Sequence, residues 1–262
     1  MEASQTTPSW PTTPIPAAPL AQAMILAAGR GERMRPLTDS TPKPLLNVQG
    51  QPLMQWPMQA LARGGFVRQL VNTAWLGEQI PVHFGERVRW PGLPEVQLVY
   101  SHEGLDFGRA LETAGGIVRA LPRLAELFWV VAGDVFAPDF VFAPEAVQRF
   151  ADSPCTAHLW LVPNPAHNPG GDFGLSATGQ VLNLPKGDPD RHWTFSTVAL
   201  YKQAFFDPAL TGIAAGNPSG QAAPLAPLLR AAMDRGQVSG EAYTGRWTDV
   251  GTPERLAQLN PT

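Results

Sequence analysis

Apolar runs separated by glycine and proline turns divide the chain into alternating strand-like and helix-like stretches. Ala23 to Ala27 is an unbroken apolar run of the kind a strand buried on both faces shows, and it leads into a turn opened by Gly29 and Gly31. Pro52 to Gly64 reads as a helix that Pro57 should kink or delay unless it sits near the start, since an interior proline costs about 3 kcal/mol. Arg68 to Thr73 and Glu95 to Ser101 read as strands, Ala110 to Leu121 as a helix, and Leu127 to Ala132 as a strand apolar enough to be central. Leu175, Val181 and Leu184 around Thr178-Gly179-Gln180 suit a hairpin, and a further helix starts near Pro253. Strand alternating with helix predicts an α/β protein, a parallel sheet with helices on both faces and right-handed crossovers. Ligands of such sheets gather at the carboxyl ends of strands, where the Gly29 turn and Asp134 both fall.

The turn after the first strand carries Arg30, Arg33, Arg35 and Lys43. Glycine reaches dihedrals closed to other residues and has no side chain in the way, so such a loop can aim backbone N–H groups at phosphate oxygens. A Walker A loop is excluded, because Glu32 and Arg33 follow Gly31 where lysine and Ser/Thr would be needed. A dinucleotide fingerprint fails at Met34, which stands in place of the third glycine, and Pro36 and Pro42 interrupt the helix that would follow.

Composition narrows the partners. A chain of 262 residues with 44% hydrophobic content can build one large domain. Only 16% of residues are charged and the net charge is −3, which argues against nucleic acid or an anionic membrane; the cations are local to the turn and suit a small phosphorylated ligand. Cys155 is the sole cysteine, so no intrachain disulfide and no cysteine-rich zinc site is possible, and a reducing cytoplasm is the expected location. Residues 1–21, with Pro8, Pro11, Pro14, Pro16 and Pro19, lack the basic start and apolar core of a signal peptide and are expected to be a disordered leader, with 22–262 a single domain. No segment is long and apolar enough to span a membrane, and a monomer is favoured.

Asp134 follows the apolar strand and Gly133, which puts a carboxylate at a strand end. It is either a turn or cap residue or, beside a phosphate loop, a ligand for Mg²⁺, which takes hard carboxylate oxygens.

The stretch Leu26-Ala27-Ala28-Gly29-Arg30-Gly31-Glu32-Arg33-Met34-Arg35-Pro36-Leu37-Thr38, then Pro42-Lys43-Pro44-Leu45 and Gly50-Gln51-Pro52-Leu53, resembles the signature of the sugar-1-phosphate nucleotidyltransferases. The wording is most similar to the N-acetylmuramate α-1-phosphate uridylyltransferase branch that serves peptidoglycan recycling, and the resemblance runs from about Gln22 to about Leu259. It implies a Rossmann-like mixed, mostly parallel sheet with helices on both faces and a small β-rich sugar-binding lobe. It implies further that Ala28, Gly29, Gly31, Glu32, Arg33 and Lys43 bind the nucleotide. Leu111-Glu112-Thr113-Ala114-Gly115-Gly116 resembles a block whose small residues admit the nucleoside, which assigns Gly115 to it; two successive glycines in a helix suggest close approach of a ligand or another backbone. Asn72, at a strand end, is a base-contact candidate or an ordinary turn residue.

Asp249, in Trp247-Thr248-Asp249-Val250-Gly251-Thr252, resembles the family's second metal-binding aspartate, which would share Mg²⁺ with Asp134 and lie by the sugar phosphate with Gly133; otherwise it caps the helix near Pro253. Asp172, in Gly170-Gly171-Asp172-Phe173-Gly174, is expected at the sugar's hydroxyls or amide, or else in a turn. Three positions depart from the muramate-type pattern: Ala132 replaces asparagine, Thr197-Val198 replaces Gly-Ile, and Lys186 lies in Leu-Pro-Lys-Gly rather than Glu-Lys-Pro and reads as a loop lysine.

The resemblance implies transfer of a nucleotidyl group from an NTP, with UTP favoured, to a sugar 1-phosphate. The attacking oxygen is already anionic, so no general base is required; Arg33, Lys43, Asp134 and Asp249, with Mg²⁺, would hold and neutralise two polyanions. Glucose- or mannose-1-phosphate enzymes, and a non-catalytic nucleotide-sugar-binding member, are the alternatives.

Overall fold

A computed structural model describes residues 20–261, so the expected leader lies outside the described residues except for its last two, and Ala21 already belongs to a strand. The strands of the main sheet are β1 (Ala21–Ala27), β2 (Arg68–Thr73), β3 (Arg87–Val88), β4 (Val96–His102), β5 (Leu124–Ala132), β6 (Ala157–Pro163), β7 (Trp193–Lys202) and β8 (Val238–Ala242). Among the described residues these eight form one sheet in the order β8-β6-β7-β5-β1-β2-β4-β3. β1 is central and parallel to both neighbours, with Met24 opposite Leu70 on one side and Val130 on the other. β7 runs antiparallel to β5 and to β6, which makes the sheet mixed.

The helices are α1 (Gln55–Arg63), α2 (Gln79–Phe84), α3 (Glu103–Phe107), α4 (Glu112–Ala120), α5 (Pro144–Ala151), α6 (Pro208–Thr211), α7 (Leu225–Asp234) and α8 (Pro253–Leu259). Successive β-strand side chains point to opposite faces, and helices cover both. Met24, Leu70, Phe128 and Val130 pack with Ile117 of α4 and Leu229 of α7. Their neighbours Ile25, Val71, Trp129 and Val131 pack with Met58 and Leu61 of α1 and Phe150 of α5. Burial on both sides is why Ala23 to Ala27 shows no polar alternation.

Pro57 falls in the first turn of α1, where its missing N–H costs no helical hydrogen bond, so the helix begins at Gln55 instead of Pro52. α4 begins two residues later than its pattern suggests, because Glu112 adopts φ +56° and the Leu111 amide is claimed by a side chain. The expected hairpin forms between Gly174–Leu175 and Val181–Leu182, with Gly179 at φ +79° in its turn. It sits beside the start of β7 through the Phe173–Trp193 bridge, giving a small β-rich lobe at one end of the sheet. A second two-stranded ladder joins Val135–Phe136 to Thr248–Asp249.

Candidate active site

Where β1 and β5 end on the α4 and α7 face, the chain encloses a cavity of about 700 Å³. Of the residues expected to bind ligand, Ala28, Gly29, Gly31, Lys43, Asn72, Asp134 and Asp172 line it. The far wall comes from Phe195, Thr197 and Tyr201 of β7 and from Leu225, Leu229 and Arg230 of α7.

The loop after β1 folds into short 3-10 turns, at Glu32–Met34, Leu37–Asp39 and Lys43–Leu45, and does not form an α-helix. Gly31 sits at φ +68°, and a Cβ there would lie 3.0 Å from Thr38 Cγ2 and 3.2 Å from Lys43 Cβ. The glycine thus lets the Lys43 stem pack against the loop and project its ammonium to Asp134. Nothing stands within 4 Å of a Cβ at Gly29, so its side is open. Arg30 lies over the Trp75 ring at 3.8 Å, and its Nε is 3.6 Å from Glu32. Glu32 and Arg33 are exposed and do not line the cavity. The Arg33 guanidinium lies beside Gly251 and Arg255, 3.3 Å from where a Cβ of residue 251 would be.

Asp134 and Asp249, distant in sequence, are brought together by backbone. The Val250 N–H donates to the Asp134 carbonyl at 2.9 Å, and Asp249 stands opposite Val135 in the ladder. Asp249 Oδ1 receives Arg255 Nη1 at 2.5 Å and lies 2.8 Å from His167 Nε2. The cap of α8 is Thr252, whose side-chain oxygen accepts from the Arg255 N–H, so Asp249 does not serve that purpose. Lys43 holds Asp134 Oδ2, which leaves each aspartate with one oxygen that has no protein partner among the described residues. A free carboxylate oxygen on each suits a cation that takes one or two carboxylates and fills the rest of its shell from water and phosphate, although only Asp134 of the two lines the cavity. No cluster of three or more His, Cys, Asp or Glu ligands occurs among the described residues.

Asn72 lies within β2, not in a turn, and each end of its amide already has a protein partner. It is buried, its Oδ1 accepts from the Ala27 N–H at 2.9 Å, and its Nδ2 donates to Glu103 Oε1 at 2.7 Å. Glu103 Oε2 accepts in turn from the Leu111 N–H at 2.7 Å. This bridge ties the end of β1, where the loop starts, to the start of α4. Burial pushes the Glu103 carboxyl above its ordinary value, and the Leu111 and Asn72 hydrogen bonds offset that only in part. Nothing in the local sequence marks Glu103, because its two partners, Asn72 and Leu111, lie in other segments of the chain.

Gly115 does not face the cavity. A Cβ there would come 2.5 Å from the Gln221 carbonyl, and one at Gly116 would come 2.5 Å from Glu103 Oε1, so both glycines admit protein. Gly133 likewise answers to packing, with Leu26 O, Ile25 and Met54 within 3.4 Å of a Cβ position; its smallness holds Asp134 close to β1. The Asp172 carboxylate is engaged at both oxygens, by the Phe195 N–H at 2.9 Å and Asn168 Nδ2 at 3.2 Å, and so fastens the small lobe to β7 while lining the cavity. Lys186 is exposed in a turn, as its setting suggests.

Two further features mark the far wall, the first at Thr197, where the muramate-type pattern has glycine. Thr197 adopts φ +63°, rare for a β-branched residue, and its Oγ1 has no partner. Tyr201 is fully buried with an unpartnered hydroxyl, and burial drives its pKa strongly upward.

A profile of the family described as Nucleotidyl transferase matches residues 22–262, the span that carries both the sheet and the cavity. The chain belongs to that family. This nucleotidyl transferase is 46% identical over 239 residues, 90% of its own length and 96% of the relative's, to N-acetylmuramate alpha-1-phosphate uridylyltransferase of Neisseria meningitidis serogroup B. It is 29% identical to the protein of the same name from Caulobacter vibrioides, over 88% of this chain and 92% of that one. A Bacillus anthracis structure assigned as a glucose-1-phosphate thymidylyltransferase superposes with a TM-score of 0.71 at 19% identity, covering 91% of this chain and 93% of that one, which establishes the shared mixed-sheet fold. Among the described residues of the nucleotidyl transferase, no helix is long and apolar enough to cross a membrane.

Proposed function

We propose that this nucleotidyl transferase moves a uridylyl group from UTP to N-acetylmuramate α-1-phosphate, releasing pyrophosphate. The observation that carries the reading is the ladder that pairs the Asp249 backbone beside Asp134, which itself lines a cavity floored by a phosphate-type loop; the resemblance to the Neisseria relative over nearly the whole chain supports the sugar and the base. A sugar-phosphate oxygen attacks the α-phosphorus, the new P–O bond forms as the bond to the bridging oxygen breaks, and pyrophosphate leaves with that electron pair. The nucleophile is already an anion, so the protein's task is to align and neutralise. Open backbone at Ala28 and Gly29 receives phosphate oxygens, Lys43 supplies a fixed positive charge, and Arg33, exposed on the same loop, reaches the triphosphate from outside the cavity. Asp134 and Asp249 would hold Mg²⁺, which would supply positive charge to offset that of the phosphates. The buried free thiol of Cys155 accords with work in the cytoplasm.

The test is pyrophosphate release from purified protein with Mg²⁺, each NTP and a panel of sugar 1-phosphates. Release with UTP and the muramate compound establishes the reading. Release with a glucose or mannose compound instead reassigns the sugar and directs attention to Ala132 and Thr197, which both line the cavity. No release with any pair supports a nucleotide-sugar-binding role without turnover.

A further inference from the structure

The phosphate loop accounts for the cations at one side of the cavity; the opposite wall carries another that the reaction itself does not need. Arg230 projects from the same face of α7 as Leu225, Ala226 and Leu229, all of which line the cavity. It is half-buried and stands 5.2 Å over the Phe173 ring. Its Nη1 donates to Asn183 Oδ1 at 2.6 Å, and its Nη2 reaches the Asp172 carbonyl only at 3.5 Å. Among the described residues no carboxylate forms an ion pair with it, whereas Lys43, the other cation lining the cavity, is matched by Asp134. A guanidinium left with neutral partners in a concave wall retains most of its capacity to bind an oxyanion.

A second observation points the same way. Beside the main cavity lies an open cleft of about 510 Å³ lined by Asn183, Leu184, Pro185, Lys186, Arg191 and Arg230. It has three cations and no acid in its lining, and the Arg191 Nε is buried without a partner. Arg230 alone lines both spaces. In a chain of net charge −3 such a concentration is local, not a general property.

We propose that Arg230 is a specificity residue which binds a carboxylate carried on the sugar of the acceptor, at a point remote from its phosphate. The proposal rests on the reading of the substrate as a muramate, a sugar whose lactyl ether bears that carboxylate while the parent hexosamine has none. The Asn183 contact fixes the guanidinium in plane and the Phe173 ring supports its face, which leaves further N–H groups free for a carboxylate. The phosphate is the alternative oxyanion for Arg230, and the experiment separates the two.

Steady-state kcat/KM would be measured with UTP and either N-acetylmuramate α-1-phosphate or its neutral carboxamide, in which the lactyl acid alone is changed, for the wild type and for Arg230→Met and Arg230→Lys. The wild type should favour the acid, and in Arg230→Met the acid-to-carboxamide ratio should fall on the order of tenfold or more, the size expected for losing one charge-assisted hydrogen-bonded pair. Arg230→Lys should restore part of the ratio. An equal loss on both substrates keeps the ratio intact and overturns the proposal, since a phosphate contact or a loosened small lobe would act on both alike. If the wild type turns over neither compound but accepts another sugar phosphate, the reading of the function fails first and takes this proposal with it.

Discussion

Replacing Asn72 by alanine removes both bonds of the bridge between β1 and Glu103, and it leaves two groups behind without partners. The Ala27 N–H sits at a residue only 2% exposed, and Glu103 is 0% exposed. An unsatisfied buried donor or acceptor costs about 1–3 kcal/mol, with the upper part of that range for a charged group. Asn72 lines the cavity, so water entering from that side recovers some of the loss, and the net destabilisation should be about 2–4 kcal/mol. For a domain of this size each kcal/mol lowers Tm by about 2–4 °C, which gives a fall of roughly 4–16 °C in a calorimetric scan. The loop loses its anchor as well, so KM for UTP should rise. Because Asn72 and Glu103 act on one bond, Glu103→Ala added to Asn72→Ala should cost less than it does alone, with a coupling of about 1 kcal/mol or more. A Tm within 2 °C of the wild type, or strictly additive effects, would show that the bridge does not hold the loop.

Other expectations follow from the same geometry. Asp249→Asn should lower turnover on the order of a hundredfold or more, as loss of a group that neutralises transition-state charge does, yet shift Tm by no more than a few degrees, because its ion pairs are partly exposed; pyrophosphate release close to the wild-type rate would end the two-aspartate reading. Thr197→Gly removes a left-handed strain of about 1–2 kcal/mol and a hydroxyl that has no partner, against a glycine entropy cost of about 0.5–1 kcal/mol, so the variant should melt at or slightly above the wild type. A clear fall in its Tm would mean that the hydroxyl is bound. The Glu103 carboxyl has a folded pKa above its ordinary value of 4.5, so folding takes up a proton just above that value and stability is lost as pH rises through the folded pKa. Urea melts of wild type and Glu103→Gln from pH 4.5 upward should therefore show the wild type losing ground to the variant with rising pH; the opposite slope would contradict burial as the dominant cause.

Local pattern carried the central strands far. β2 matches its expected span residue for residue, and β1, β4 and β5 differ only at their ends; in β1 and the last six residues of β5, cover on both faces keeps the run apolar. Helix starts leave less trace in the pattern, since α4 begins where the Glu103 side chain captures an amide, a contact no helical period encodes. The polarity of β7, antiparallel between β5 and β6, also has no local signal. Gly115 shows the limit of reading small residues: the sequence said that something must come close there, and only packing showed it to be the backbone of Gln221.

The sequence by itself determined a phosphate-type loop at the end of an apolar strand, through the glycines and the cations that accompany them, and it determined an alternating α/β fold. Those properties reside in neighbouring residues, where backbone dihedrals, hydrophobic period and charge act over a few positions. Tertiary structure alone decided that the Asp249 backbone pairs beside Asp134, that Asn72 is a buried strut, and that Arg230 lines the cavity with no ion-paired carboxylate among the described residues. Each of these depends on ladder register and helix docking between segments far apart in the chain, which are set by burial of the whole core and by the pairing of every backbone group within it.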